Sequence, residues 1–156
     1  MKLQLVLEIL RNTSNVEMIQ QNNTLHSQSI IDGHDVKVTV QMVSGMHGYV
    51  QFEVDGSLEL QKDLPPITAM KILQYVISSL KTFSNNNDHV EFYFGADAEH
   101  EQVYDKLLPR LSSRFGFKIE KQPYNMDKRE IIQRKLIPLY DKKHSRMTCV
   151  YFLTRS

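Results

Sequence analysis

The order of elements in this chain turns on three stretches: Ala69–Leu80, AMKILQYVISSL; Val90–Ala96, VEFYFGA; and Val103–Ile119, VYDKLLPRLSSRFGFKI. Through and just beyond the first, Met70, Leu73, Val76, Ile77, Leu80 and Phe83 recur at the spacing of a helix that buries one face. The second is short and aromatic and ends at Gly95, the mark of a compact strand. In the third, Val103, Leu107, Leu108 and Leu111 form the inner face of another helix, Gly116 lets the chain turn, and Phe117 to Glu120 reads as a strand. Asp97 can cap that helix, and Glu99 and Glu101 suit its positive end. Pro109 should kink or restart it, because proline lacks an N–H and crowds the preceding turn.

Upstream, Pro65-Pro66 is placed to open the first of these helices, with Thr68 as an alternative N-cap. Before it the period changes to two. His26 to Ile31, Val36 to Val43 and Tyr49 to Val54 are short runs of alternating character, joined by Asp32-Gly33-His34 and by Ser44 to Gly48. Such glycine-containing connections mark antiparallel hairpins. A third turn, Asp55-Gly56, leads to a possible fourth run, Ser57 to Leu60. Leu3, Leu5, Val6, Ile9 and Leu10 fit a short helix, although alternate positions also allow a strand, and Thr13 to Asn23 reads as a loop or weak helix. Downstream, Asp127 and Glu130 have capping-box spacing for a helix carrying Ile131, Ile132, Leu136, Leu139 and Tyr140, bent at Pro138. Met147 to Leu153 is the last strand. The sum is a single α/β (α+β) domain over residues 1–156, a mixed, mostly antiparallel sheet flanked by helices.

Composition narrows the class. A chain of 156 residues with 41% apolar content can bury one core. Cys149 is the single cysteine, so no disulfide scaffold is available. No apolar run reaches the length of a membrane span, and the first ten residues are too short and too polar for a signal peptide. The expectation is a cytoplasmic protein with no membrane partner. The formal charge of +1 conceals a division: residues 1–104 hold 6 Lys/Arg against 13 Asp/Glu, a net of −7, and residues 105–156 hold 13 against 5, a net of +8. Lys106, Arg110 and Arg114 make one stripe, and Lys128, Arg129, Arg134, Lys135, Lys142, Lys143 and Arg146 thicken the next element, with Tyr124, Tyr140 and Tyr151 interleaved. That basic C-terminal surface suits an anion, whether a phosphate, a cofactor or a nucleic acid; a solvated helix face neutralised by the acidic half is the plainer alternative.

The order of elements resembles the GNAT (N-acetyltransferase-like) superfamily, whose mostly antiparallel sheet splays between its fourth and fifth strands with a helix after each. Residues 69–118, and the three quoted stretches in particular, are similar to a divergent GNAT-like group common in phage and mobile elements. The resemblance implies an acyltransferase that takes acetyl-CoA and an amine acceptor. It places a cofactor-binding turn at Gln61, Lys62 and Thr68, where the family holds the pyrophosphate with small residues. Here only Gln61 fits that pattern, since Leu64 and Pro66 stand in the small positions, Asp63 adds negative charge, and neither proline can donate an N–H. Tyr104 would be the acid for the leaving thiolate, although it precedes Gly116-Phe117 by twelve residues and no Asn lies nearby upstream. Glu53 or Glu91 would be the general base, or simply a solvated strand residue. The other implied reading is a GNAT-fold binding module without catalysis, engaging a host protein or nucleic acid through the basic C-terminal surface.

The remaining polar residues suggest little chemistry. His89 and His100 flank one strand and read as surface histidines. No pair of histidines has zinc-helix spacing, and no serine has a nucleophile-elbow context. Cys149 sits in an apolar strand and reads as buried and inert.

Overall fold

A computed structural model describes residues 19–21, 23–43, 45–58, 60, 63–85, 89–123 and 147–156. The expected first helix, the helix with Ile131 to Tyr140, the basic cluster from Lys128 to Arg146, and Gln61 and Lys62 lie outside them. The strands are β1 (Ile19–Gln21), β2 (Thr24–Ile31), β3 (His34–Met42), β4 (His47–Val54), β5 (Glu91–Ala96), β6 (Phe117–Pro123) and β7 (Cys149–Arg155). Helix α1 (Pro66–Ser84) follows β4, and α2 (Ala98–Arg114) follows β5. The strands form one mixed sheet in the order β1-β2-β3-β4-β5-β7-β6.

Two Asp-Gly pairs build the turns at one end of the sheet. Asp32 (φ 50°) with Gly33 (φ 83°), and Asp55 (φ 53°) with Gly56 (φ 83°), are all left-handed, the backbone that two-residue hairpin turns demand. The first turn is also an anchor: the Asp32 carboxylate accepts from Thr68 Oγ1 (2.8 Å) and Lys71 Nζ (2.9 Å), fastening the β2–β3 hairpin to the first two turns of α1. Those two bonds, Lys71 first, hold the Asp32 carboxyl below its ordinary range. The second turn continues only as a single bridge between Val54 and Ser57, so the expected run from Ser57 to Leu60 is not a strand.

Strand alternation sends Val36, Val38 and Val40, then Val50, Phe52 and Val54, then Phe92, Phe94 and Ala96 to one face, which carries the main core. Both helices contribute to that core, α1 through Ile72, Leu73, Val76, Ile77, Leu80 and Phe83 and α2 through Tyr104, Leu108 and Leu111. Helix α1 opens at Pro66, as the proline pair suggests, but it is buried continuously from Ile72 to Leu80 instead of along a stripe. Its buried serines are met internally: Ser79 Oγ donates to Tyr75 O (2.9 Å), which leaves Ser27 on β2 to donate to Ser79 (2.9 Å), whereas Gln74 Oε1 is buried without a partner among the described residues. Helix α2 is capped by Asp97, whose carboxylate accepts from His100 N (2.9 Å). It runs unbroken through Pro109, which is exposed; the ring crowds solvent instead of core, and the helix neither stops nor restarts. On the opposite face of the sheet, Tyr49, Tyr93, Val150, Phe152 and Met147 form a second, smaller core.

Candidate functional site

Every neighbouring pair of strands is antiparallel except β4 and β5. Those two are parallel, as a strand–helix–strand connection through α1 requires. They pair only at His47–Glu91, Gly48–Phe92 and Tyr49–Tyr93, although β4 continues to Val54 and β5 to Ala96. Beyond Tyr49 the two strands splay.

The edge of this gap can be read from the ladder. Val54 N donates to Ser57 O (2.8 Å) and Ser57 N to Val54 O (3.0 Å), while Asp55 N donates to Asp35 O (2.8 Å). The peptide groups of Val54 therefore face away from β3, and Ser57 closes the wide end of the splay. Hydrogen-bonding direction alternates along an antiparallel strand, so Phe52 also turns its N–H and C=O away from β3, into the gap. Phe52 thus sits between an end closed by Tyr93 and an end closed by Ser57.

On the helical face an apolar cleft of about 400 Å³ lies between the N-terminal parts of the two helices, lined by the segment leaving β4 and by both helices. Leu60, Leu64, Pro66 and Ala69 form one wall; Val103, Leu107, His100 and Lys106 form the other, with Glu99 and Gln102 toward its rim. Val103 is therefore not an inner residue of α2: it is 38% exposed and lines this cleft, and the inward face is carried by His100, Tyr104, Leu108 and Leu111.

His100 was legible in the sequence only as a surface histidine, yet it is buried and holds the cleft together. Its Nε2 donates to Leu60 O (3.0 Å) and its Nδ1 lies 2.7 Å from Asp97 Oδ1. The ring thus ties the segment leaving β4 to the N-terminus of α2, forty residues away in the chain. The signal that could have found it is the spacing Asp97, His100, Tyr104, Leu108, Leu111, one helical face running back to the cap.

The expected site residues are not gathered at one point. Tyr104 is buried on the helical face, edge-on to Phe94 (5.5 Å) and Tyr151 (5.9 Å) and beside His100 (6.1 Å). Glu53 is half-buried on β4 and alternates to the opposite face of the sheet, at the splayed end and across from Lys37. Glu91 is on that opposite face too, but at the closed end, 3.7 Å from His47 Nε2. Thr68 is buried one turn inside α1 with its hydroxyl committed to Asp32, and the cleft is lined by its neighbours Pro66 and Ala69 instead.

Beside the cleft, α2 is clamped to the sheet by charge. Lys121 on β6 donates to Glu101 Oε1 (2.6 Å) and Asp105 Oδ2 (2.8 Å), Thr148 Oγ1 donates to Glu101 (3.0 Å), and Tyr151 OH donates to Asp105 Oδ1 (2.8 Å). The Lys121 hydrogen bonds are the main reason both carboxyls lie below their ordinary values. Burial raises the Cys149 thiol above its usual value, so it is held as an inert thiol under α2. Among the described residues no group of three His, Cys, Asp or Glu could hold a metal ion, and no helix is long and apolar enough to cross a membrane. The chain matches no family model, and no curated protein matches it.

Proposed function

We propose that this chain is a GNAT-like acyl-thioester-binding protein that transfers the acyl group from acetyl-CoA, or a related acyl-CoA, to an amine. The observation that carries the reading is the splay: parallel pairing that stops after Tyr49–Tyr93, opening beside an apolar cleft between two helix starts. The strand order and a helix after each splaying strand agree with it. An extended arm bearing amides, such as pantetheine, fits the opening chemically. Phe52 offers a strand-like N–H and C=O, and Leu60, Leu64, Val103 and Leu107 offer walls for methylenes. At the far end, the helix ladder of α1 begins with Ala69 N to Pro65 O (3.0 Å), which leaves the Ile67 and Thr68 amides unused by the helix.

The thioester supplies an acyl carbon open to attack by a neutral amine; the protein orients it and moves protons. An amine that approaches from the face opposite the helices meets Glu53 at the open end of the splay, which favours Glu53 over Glu91 as the base. Tyr104 is on the helical face and would protonate the departing thiolate. Gln61 and Lys62 would extend the cofactor turn.

Titration calorimetry with acetyl-CoA and CoA, followed by thiol release over a panel of primary amines, tests the proposal. Saturable binding with amine-dependent thiol release is the expected result. Saturable binding with no turnover for any amine would leave the binding module without catalysis, and no binding at millimolar ligand would overturn the assignment altogether.

A further inference from the structure

Two prolines stand where a phosphate-binding helix start needs donors. Pro66 occupies the first helical position, Pro65 precedes it, and no side chain caps this end. A diphosphate placed there would meet two amides and little charge, with Asp63 exposed nearby. The positive charge is on the other wall. Lys106 lines the cleft facing Pro66, and Arg110 continues the same face of α2 one turn further on, about 6 Å along the axis. Both are exposed, and neither makes a hydrogen bond or ion pair among the described residues. Glu99 is the nearest opposing charge on that wall, but it lies about 10 Å back along the helix, close to a full screening length at ordinary salt. Asp105, next to Lys106 in sequence, is taken up by Lys121 and Tyr151. Among the described residues, the second half of α2 therefore presents cations without an ion-pair partner from the rim of the cleft outward.

We infer that phosphate recognition has moved from the helix N-terminus to this ridge, with Lys106 holding the diphosphate and Arg110 the ribose phosphate of a CoA thioester. The inference rests on the acyl-thioester reading above and adds the residues that would select CoA over its phosphate-free arm. Lysine serves the diphosphate as a point charge, and arginine can grip a terminal phosphate with two parallel N–H groups.

The test is calorimetry on the full chain with acetyl-CoA, acetyl-dephospho-CoA and S-acetylpantetheine, using wild type, Lys106→Gln, Arg110→Gln and the double variant. Both positions are exposed, and unchanged unfolding midpoints will confirm that the variants fold. Lys106→Gln should weaken both CoA ligands by about tenfold. Arg110→Gln should weaken acetyl-CoA by a similar factor and leave acetyl-dephospho-CoA unchanged. S-acetylpantetheine should bind all four proteins alike. If the double variant binds acetyl-CoA as wild type does, the ridge is not the phosphate site, while the acyl-thioester reading survives. If wild type binds none of the three ligands, that reading fails and takes the inference with it. If the substitutions instead abolish salt-sensitive retention of a single-stranded oligonucleotide and spare acetyl-CoA, the ridge is a nucleic-acid surface and the inference is overturned.

Discussion

Replacing His100 by phenylalanine should destabilise the protein by about 2–4 kcal/mol. Phenylalanine is somewhat larger than histidine, so the contact with Tyr104 survives and no cavity opens. Two polar interactions are lost. The bond from Nε2 to Leu60 O leaves a carbonyl behind on a residue that is only 6% exposed, which costs about 1–3 kcal/mol. The 2.7 Å contact from Nδ1 to Asp97 is lost as well, but the Asp97 side chain is 19% exposed and keeps the main-chain bond from residue 100, so this adds about 1 kcal/mol. For a chain of this size the total corresponds to a fall in unfolding midpoint of roughly 4–16 °C. Chemical denaturation measures the energy, and amide hydrogen exchange locates it. Exchange should accelerate around Leu60 and the first turn of α2 while β2–β3 stays protected. A loss below about 0.5 kcal/mol, with exchange near Leu60 unchanged, would refute the claim that this ring holds the cleft wall.

Tyr104→Phe keeps every ring contact, so if the hydroxyl protonates the thiolate, kcat should fall by about a hundredfold or more with thiolester affinity retained, and an unchanged kcat removes Tyr104 from the chemistry. Lys121→Gln should lower stability near neutral pH and flatten its acid limb. Glu101 and Asp105 are depressed below their ordinary 4.5 and 3.8, so their contribution is full above those values and is lost as pH falls through the lower folded ones. The gap between wild type and variant should therefore close on acidification, and a gap that widens below pH 4 would contradict the sign. Tyr93→Phe should be neutral or raise stability by about 1 kcal/mol, because the buried Tyr93 hydroxyl has no hydrogen-bond partner among the described residues; a loss in equilibrium unfolding would reveal one. Gly48→Ala should cost about 1–3 kcal/mol, since a Cβ there would come within 2.7 Å of Val40 Cγ1 on a fully buried neighbour; an unchanged denaturation midpoint would mean that β3 and β4 can part at the closed end of the splay.

What the sequence disclosed and what it withheld divide along the range of the interactions. The hairpins were legible because Asp32-Gly33 and the glycine-containing Ser44–Gly48 connection mark their turns locally, and the start of α1 because Pro65-Pro66 suits the first turn of a helix and not its interior. Of the expected inner face of α2, Leu108 and Leu111 are buried and Leu107 packs against the core, while Val103 was misplaced because Val103, Leu107 and Leu111 offer a plausible apolar row of their own. Apolar character alone does not distinguish a row that faces the sheet from one that lines a cleft. His100, which reads as a surface histidine, and Tyr104 are the residues that face inward, since the Leu60 carbonyl, Phe94 and Tyr151 supply partners; Leu60 and Tyr151 lie far away in sequence. Pro109 was read as a breaker because local rules see the missing N–H and not the solvent on its side of the helix.

Only the GNAT resemblance implied the splay; the residues themselves do not mark it, because it is a failure of pairing between strands that are each well paired elsewhere. β4 is in register with β3 along seven residue pairs, Val36–Val54 to Met42–Gly48, and β5 with β7 along five. Neither strand is a frayed end, so the gap is enforced from both outer sides. Within it, the Phe52 peptide groups lie between the pairing with β5 and the bridge to Ser57. Backbone groups held open in this way need water or an extended ligand. This is also why the two candidate carboxylates are not equivalent. Glu91 is at the closed end, where the two strands still share a ladder, and a ligand lying along the open edge does not reach it. Glu53 follows Phe52 directly and projects to the face that an acceptor could approach without displacing either helix. Glu53→Gln should therefore abolish amine-dependent thiol release and spare acetyl-CoA binding, while Glu91→Gln should leave both intact. The reverse pattern would place the acceptor at the closed end of the sheet and remove the splay from the mechanism.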